Sequence, residues 1–164
     1  MDPIFHRTSI RQFQNKEVEP EKIQKLLRAG MQAPSAVNQQ PWEFYVVQNK
    51  EMLKKLSQTS PYAGCAKNAP LAIVIVSRDD CILPDYQDID CAIATESIML
   101  EADLLGLGSV MLGIAPLQER MDTVGKLLGL SEHQHAFTIL PVGYPVKVDP
   151  QKDRYDEGKV HFID

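Results

Sequence analysis

The chain has 164 residues, 44% of them hydrophobic and 24% charged, which suits one globular domain with a sizeable core. Intrinsic disorder, collagen-like repeats and small disulfide scaffolds are excluded on these numbers. The net charge of −5 argues against a nucleic-acid or anionic-membrane partner, but it is unevenly spread: residues 1–60 hold 9 Lys/Arg against 6 Asp/Glu, and residues 61–164 hold 8 against 16.

Asp2 is placed to cap a short helix with Pro3 at its first position. Arg7 to Gln14 reads as loop or extended chain. Pro20 opens an amphipathic helix with Ile23, Leu26, Leu27 and Met31 on one stripe, and Pro34 ends it. A polar loop, Pro34 to Pro41, leads into a strand over Trp42–Val47 and a short helix over Lys50–Gln58. Leu71–Ser77 is a nearly unbroken β-branched run, the pattern of a strand covered on both faces.

A long helix is predicted over Asp88–Leu105. At 100° per residue, Ile89, Ile93, Leu100 and Leu104 fall on one side, with Ala94, Ile98, Ala102 and Leu105 roughly opposite. Apolar residues on two sides require burial on two sides, either inside one chain or partly against a second subunit. Glu96 and Asp103 share one edge of this helix. Gly106-Leu107-Gly108-Ser109 breaks it before a short strand, Val110–Gly113. Arg120–Leu128 reads as a helix capped by Gly129, and Phe137–Val142 as the last strand. From Val146 on the chain is polar, with too little apolar content for a core of its own. Helices and strands alternate without a strict βαβ rhythm, so the expected class is α+β.

Several chemistries are absent. There is no G-x-x-x-x-G-K-[ST], no strand followed by G-x-G-x-x-G and no G-x-S-x-G. His133 and His135 read as solvent-exposed loop residues rather than a metal site, and His6 and His161 as surface or partner-contact residues. Cys65, Cys81 and Cys91 form no C-x-x-C and read as reduced thiols. The segment MDPIFHRTS has no signal-peptide pattern, and the longest apolar run, Ala69–Val76, is too short to span a bilayer, so a cytoplasmic location is expected.

Four constellations remain. Arg7-Thr8-Ser9-Ile10-Arg11 places two guanidinium forks and two hydroxyls within five residues, suited to a phosphate and neighbouring polyol oxygens or equally to a solvated turn. Pro34-Ser35-Ala36-Val37-Asn38-Gln39-Gln40-Pro41-Trp42 offers donors and acceptors between prolines, suited to the edge of a heteroaromatic ring or to a plain connection. Gly106 to Gly113 permits close backbone approach to a ligand, or marks a helix stop and strand entry. Lys152 and Arg154 are a spaced cationic pair in the tail.

In this order the four together resemble the nitroreductase-like family of FMN-dependent oxidoreductases. The segments that carry the resemblance are Arg7-Thr8-Ser9-Ile10-Arg11-Gln12-Phe13, Pro34 to Trp42, Gly106 to Ser109, and Lys152, Arg154, Val160 and His161. The resemblance implies a nitroreductase-like α+β fold, with a mainly antiparallel central sheet flanked by helices. It implies one domain over 1–164 and an intertwined homodimer, with residues 145–164 as an arm packed on the partner. By the same similarity, Arg7, Thr8, Ser9 and Arg11 contact the phosphate, ribityl chain and pyrimidine side of FMN, and Lys152 and Arg154 hold its phosphate. Pro34, Ser35, Ala36, Asn38 and Gln40 come from the other subunit, while Leu112 and Gly113 pass close to the ring, where a backbone N–H reaches N5.

The implied activity is ping-pong hydride transfer from NADH or NADPH through flavin N5 to a small conjugated acceptor, a nitroaromatic or a quinone. Arg11 is expected to stabilise the negative charge that reduction places on the N1–C2=O edge. Dehalogenation, flavin breakdown and non-enzymatic flavin storage are the alternatives. Two departures stand out: Met111 occupies a position often aromatic or proline, and little chain lies between Ser77 and Asp88 to build a cover over the substrate side. The remaining N-terminal cations, Lys16, Lys22 and Lys25, read as solvated surface.

Overall fold

The structure is a computed structural model that describes residues 2–150 and 153–163. Its elements in chain order are α1 (Pro3–His6), α2 (Pro20–Met31), β1 (Trp42–Val47), α3 (Lys50–Leu56), β2 (Leu71–Arg78), α4 (Gln87–Leu104), β3 (Gly108–Ser109), β4 (Leu112–Gly113), α5 (Gln118–Leu128) and β5 (Gln134–Gly143). The local signals explain most of the boundaries. The Asp2 carboxylate accepts from the Ile4 N–H and caps α1, and Asn49 does the same for α3 through Met52. Gly129, in the left-handed conformation, ends α5.

The strands form one antiparallel sheet in the order β1-β2-β5-β3, with β4 also paired to β5. The β2 pattern works as its composition implies. Leu71, Ile73 and Ile75 join one core with α2 and α4; Ala72, Val74 and Val76 join a second core with α3 and α5. Both sets are fully buried, so the sheet is the middle layer of three. A bulge between Ile75 and Val76 shifts the β2–β5 register.

Two predicted boundaries moved. Of the expected Val110–Gly113 strand only Leu112–Gly113 forms, as β4, while β3 precedes it at Gly108–Ser109, and buried Val110 and exposed Met111 separate the two. The last strand begins at Gln134 rather than Phe137. Its polar start lacks a strand pattern, yet it pairs with Val76, Ser77 and Arg78 beyond the bulge.

That extension corrects the reading of the histidines. His135 lies on β5 rather than in a loop, and its Nε2 sits 2.7 Å from Asp79. The Nδ1 of exposed His133 meets the other oxygen of the same carboxylate at 2.9 Å. Among the described residues no group of three or more His, Cys, Asp or Glu is arranged to hold a metal ion. Lys22 is also more than solvated surface: it donates to the Leu105 carbonyl and to the Tyr144 hydroxyl, which in turn donates to Glu19. This clamps the start of α2 to the end of β5, and Lys16 lies 3.7 Å over the same tyrosine ring.

On α4, Ala94, Ile98 and Ala102 are buried against the sheet and α2, while Ile89, Ile93 and Leu104 are exposed. Only one of the two apolar sides is therefore covered within the chain. The tail begins by pairing with its own N-terminal segment, through Val146 to Gln12 and Pro145 to Phe13. From Lys147 on, the hydrogen bonds and ion pairs of the described residues are all local to the tail. No helix of the described residues is long and apolar enough to cross a membrane.

Candidate functional site

The N-terminal segment reaches its place through one close contact. Ile10 donates to the Ser109 carbonyl at 2.9 Å, and Ser9 bridges Ser109 in parallel. A Cβ on Gly108 would fall 2.6 Å from the Cβ of Ile10, so glycine at 108 is what lets the segment lie on β3. Gly106 has φ of +73° and stops α4. The Gly106–Ser109 stretch is thus a helix stop that admits the chain's own Ile10.

The same segment is tied to the α4 edge noted from sequence. His6 Nδ1 contacts the Asp103 carboxylate at 2.9 Å, and Arg7 Nε lies 3.4 Å from Glu96. Between these anchors the Thr8 hydroxyl oxygen is buried without a partner, as is that of Ser109 on the adjoining strand. Ser9 and Arg11 are exposed. Arg11 opens onto a cavity of about 860 Å³ whose other cations are Lys16, Lys50 and Lys67. The half-buried Cys65 thiol feels the charge of Arg11; burial pushes its pKa up more than the cation lowers it, so it stays protonated.

The loop between the prolines is built differently. A 3-10 turn covers Ala36–Asn38, and Val37, Asn38 and Gln40 all adopt left-handed backbone, with φ of 47°, 56° and 48°. Ser35 Oγ accepts from the Gln40 N–H, and the Gln40 amide donates to Asn38 Oδ1. Asp90, buried on the first turn of α4, accepts from the Ala36 N–H at 2.9 Å and from the Gln39 amide at 2.7 Å. Sequence reading missed Asp90 and Gln39. The available signal was a carboxylate in the otherwise apolar Asp90-Cys91-Ala92-Ile93-Ala94 stretch.

The predicted site residues fall into separated groups. Arg7, Thr8, Ser9 and Arg11 lie towards the C-terminal end of α4 and β3, whereas Pro34, Ser35, Ala36, Asn38 and Gln40 lie at its N-terminal end. Along α4 the loop is held at Asp90, Arg7 meets Glu96 six residues on, about 9 Å along a helix, and His6 meets Asp103 thirteen residues on, about 20 Å. Leu112 is buried on β4, its carbonyl accepting from Thr138, and Gly113 is exposed with open space where a Cβ would stand. Arg154 is exposed on the tail, and Lys152 lies outside the described residues. Beside the loop, a second cavity of about 510 Å³ is lined by Gln39, Gln40, Arg78, Asp80, Cys81 and Ile82.

A model of the nitroreductase family matches residues 4–60 and 59–144. The chain belongs to the nitroreductase family. It is 39% identical to a Methanothermobacter thermautotrophicus protein provisionally named NADH dehydrogenase/NAD(P)H nitroreductase, over 99% of this chain and 85% of the other. Its fold matches that of an FMN-dependent nitroreductase from Clostridium difficile with a TM-score of 0.93, 32% identity, and 99% and 98% coverage. A Clostridium acetobutylicum protein, provisionally named an NADH oxidase, superposes with a TM-score of 0.95, at 44% identity and 98% coverage of both chains. The first three motifs fall within the matched residues, and the fourth, Lys152 to His161, lies beyond them.

Proposed function

We propose that this nitroreductase-family chain works as a homodimer with two shared FMN sites. It uses NADH or NADPH to reduce a small conjugated acceptor, a nitroaromatic or a quinone, in a ping-pong cycle. The observation that carries the cofactor reading is the unpartnered polar set on the N-terminal segment. The buried Thr8 hydroxyl lacks a partner, and Arg11 has no carboxylate within ion-pair distance among the described residues. Buried polar groups without partners are uncommon in folded proteins, and a ligand oxygen supplies what is missing. The hydroxyls and guanidinium groups fit the phosphate, ribityl and pyrimidine oxygens of FMN in chemistry.

The dimer reading follows from the separation of the two motifs along α4. One chain ties its Pro34–Gln40 loop to α4 at Asp90 and its N-terminal segment to the same helix at Glu96 and Asp103, and a second copy can supply the missing half. The exposed Ile89, Ile93 and Leu104 give α4 a second face for that copy, and the tail, whose hydrogen bonds and ion pairs from Lys147 on are local among the described residues, is the arm that crosses it.

Bound FMN supplies the two-electron chemistry between the nicotinamide and the acceptor. The protein's part is to bind, orient and tune. Arg7, Thr8, Ser9, Lys152 and Arg154 hold the phosphate and ribityl oxygens, with Glu96 fixing the direction of the Arg7 side chain. Arg11 places a fixed cation at the pyrimidine edge, where reduction adds negative charge. The partner's loop closes the other edge with Pro34, Ser35, Ala36, Asn38 and Gln40, and the Leu112–Gly113 backbone lies along the ring. Gly113 leaves room there for the closest approach.

The test is the absorbance of the purified protein in the flavin bands, followed by NADH and NADPH oxidation with an added quinone or nitro compound. Bound FMN with turnover is expected. Bound FMN without turnover would favour a storage role, and a protein that takes up no FMN would contradict the reading.

A further inference from the structure

Asp90 is unusual in this molecule. Its side chain is 2% exposed, yet no Lys, Arg or His pairs with it among the described residues. Its charge is met by N–H donors. The Ala36 N–H reaches Oδ1 at 2.9 Å and the Gln39 side-chain amide reaches Oδ2 at 2.7 Å. Its place in the first turn of α4 adds the favourable field of the helix N-terminus.

Gln39 extends the chain of contacts. Its amide also donates to the Leu83 carbonyl, and its carbonyl accepts from the Leu83 N–H. The loop is therefore tied to α4 and to the 78–86 connection through one glutamine.

These ties hold a backbone that would not persist unaided. Left-handed φ values at Val37, Asn38 and Gln40 are costly for residues with a Cβ, most of all for β-branched valine. Such conformations survive only where surrounding contacts over-determine them. The internal bonds, Ser35 to Gln40, Gln40 to Asn38, and the backbone pairs Asn38 to Ser35 and Gln39 to Ala36, link the loop only to itself. Asp90 and Leu83 are the fixed points. The Gln40–Asn38 bond also occupies the Asn38 carbonyl, which leaves the two amide hydrogens of Asn38 for a ligand acceptor.

We propose that Asp90 is a positioning residue for FMN binding: through the Ala36 N–H and the Gln39 amide its buried carboxylate sets the strained loop that presents Asn38 to the cofactor. This rests on the function proposed above. Only a group that accepts on both oxygens fits, because both partners are donors.

The experiment is a reversal of hydrogen-bond polarity in the full chain, read as the FMN dissociation constant from flavin fluorescence. Asp90→Asn sets its new amide hydrogens against those of Gln39. Gln39→Glu sets carboxylate against carboxylate. Each loses a charge-assisted hydrogen bond and should weaken FMN binding about tenfold or more. The Asp90→Asn/Gln39→Glu double variant exchanges donor and acceptor between the two side chains but leaves the Leu83 carbonyl without its donor, so its affinity should exceed that of either single variant while staying below the wild type. Amide exchange in the FMN-free proteins supplies a second readout: Val37–Gln40 should exchange faster in the single variants and recover in part in the double variant. Single variants that bind FMN as the wild type does, or a double variant no better than the better single, would overturn the inference while leaving the proposed function intact. A wild-type chain that takes up no FMN would overturn both.

Discussion

The loop at Pro34–Gln40 and the tail from Lys147 are the two parts of this chain proposed to meet a second copy, and they are built in opposite ways. The loop is set before any partner arrives: a buried carboxylate, a bidentate glutamine and four internal hydrogen bonds hold three left-handed residues. The tail has no such anchors. Phe162 and Ile163 are 88% and 96% exposed, and the described contacts beyond Val146 are local. The loop is thus preorganised, whereas in the proposed dimer the tail gains its order from assembly. Preorganised contacts add affinity without a further ordering cost, whereas the tail loses conformational entropy only when it docks.

The largest expected effect follows from removing the tail. Deleting residues 147–164 takes away Lys152 and Arg154, two charge-assisted phosphate contacts in the proposed site, so FMN affinity should fall by about 100-fold or more. The melting of the remaining body should change little. Equilibrium dialysis and a thermal scan check the two halves of that statement.

Next is Gly108→Ala, which strikes the body instead. The new methyl meets Ile10 at 2.6 Å. Overpacking of this kind costs about 1–3 kcal/mol, or roughly 3–10 °C in Tm for a chain of this size. Gly113→Ala is the contrast, since nothing lies within 4 Å of its Cβ position. It should leave Tm unchanged and affect only FMN binding, by narrowing the space beside the ring.

Arg11→Gln sharpens the electrostatic side of the account. Losing a charge-assisted hydrogen bond to the reduced cofactor, worth about 1.5–3 kcal/mol, should lower the two-electron potential of bound FMN by about 30–60 mV. Spectroelectrochemical titration measures it, and an unchanged potential would remove Arg11 from that role.

The smallest effect belongs to Asp79. Its hydrogen bonds to His135 and His133 hold its own pKa below 3.8 and raise that of His133 above 6.5. The raised histidine contributes stability that is fully present below its unfolded value and lost as pH rises through the folded one. The lowered carboxylate contributes above its unfolded value and loses it as pH falls through the lower folded one. Asp79→Asn should therefore abolish the small gain in Tm that the wild type shows between about pH 8 and about pH 6.

Local pattern disclosed much of this architecture. The alternation of Leu71–Val76 between two cores, the α2 stripe and the two apolar sides of α4 all follow from side-chain period, which is a local property. The motif residues of the candidate site were legible for the same reason: they are contiguous in sequence. What escaped was long-range pairing of polar residues. Asp90 meets Ala36 and Gln39 across more than fifty positions, as does Asp79 with His133 and His135. No period relates such residues, and their hydrogen bonds exist only once the sheet has brought them together. The left-handed Val37 was equally hidden, because a β-branched residue signals strand rather than a strained turn.

The central claim is that each site takes its N-terminal segment from one chain and its loop from the other. The most direct measurement is the FMN content of a heterodimer made from an Arg7→Glu chain and an Asn38→Trp chain, each of which retains no FMN as a homodimer. If the sites are shared, one site of the heterodimer carries both substitutions and the other carries neither, so one FMN should be retained per heterodimer. If each site lies within a single chain, both remain defective, and a heterodimer without FMN would contradict the account.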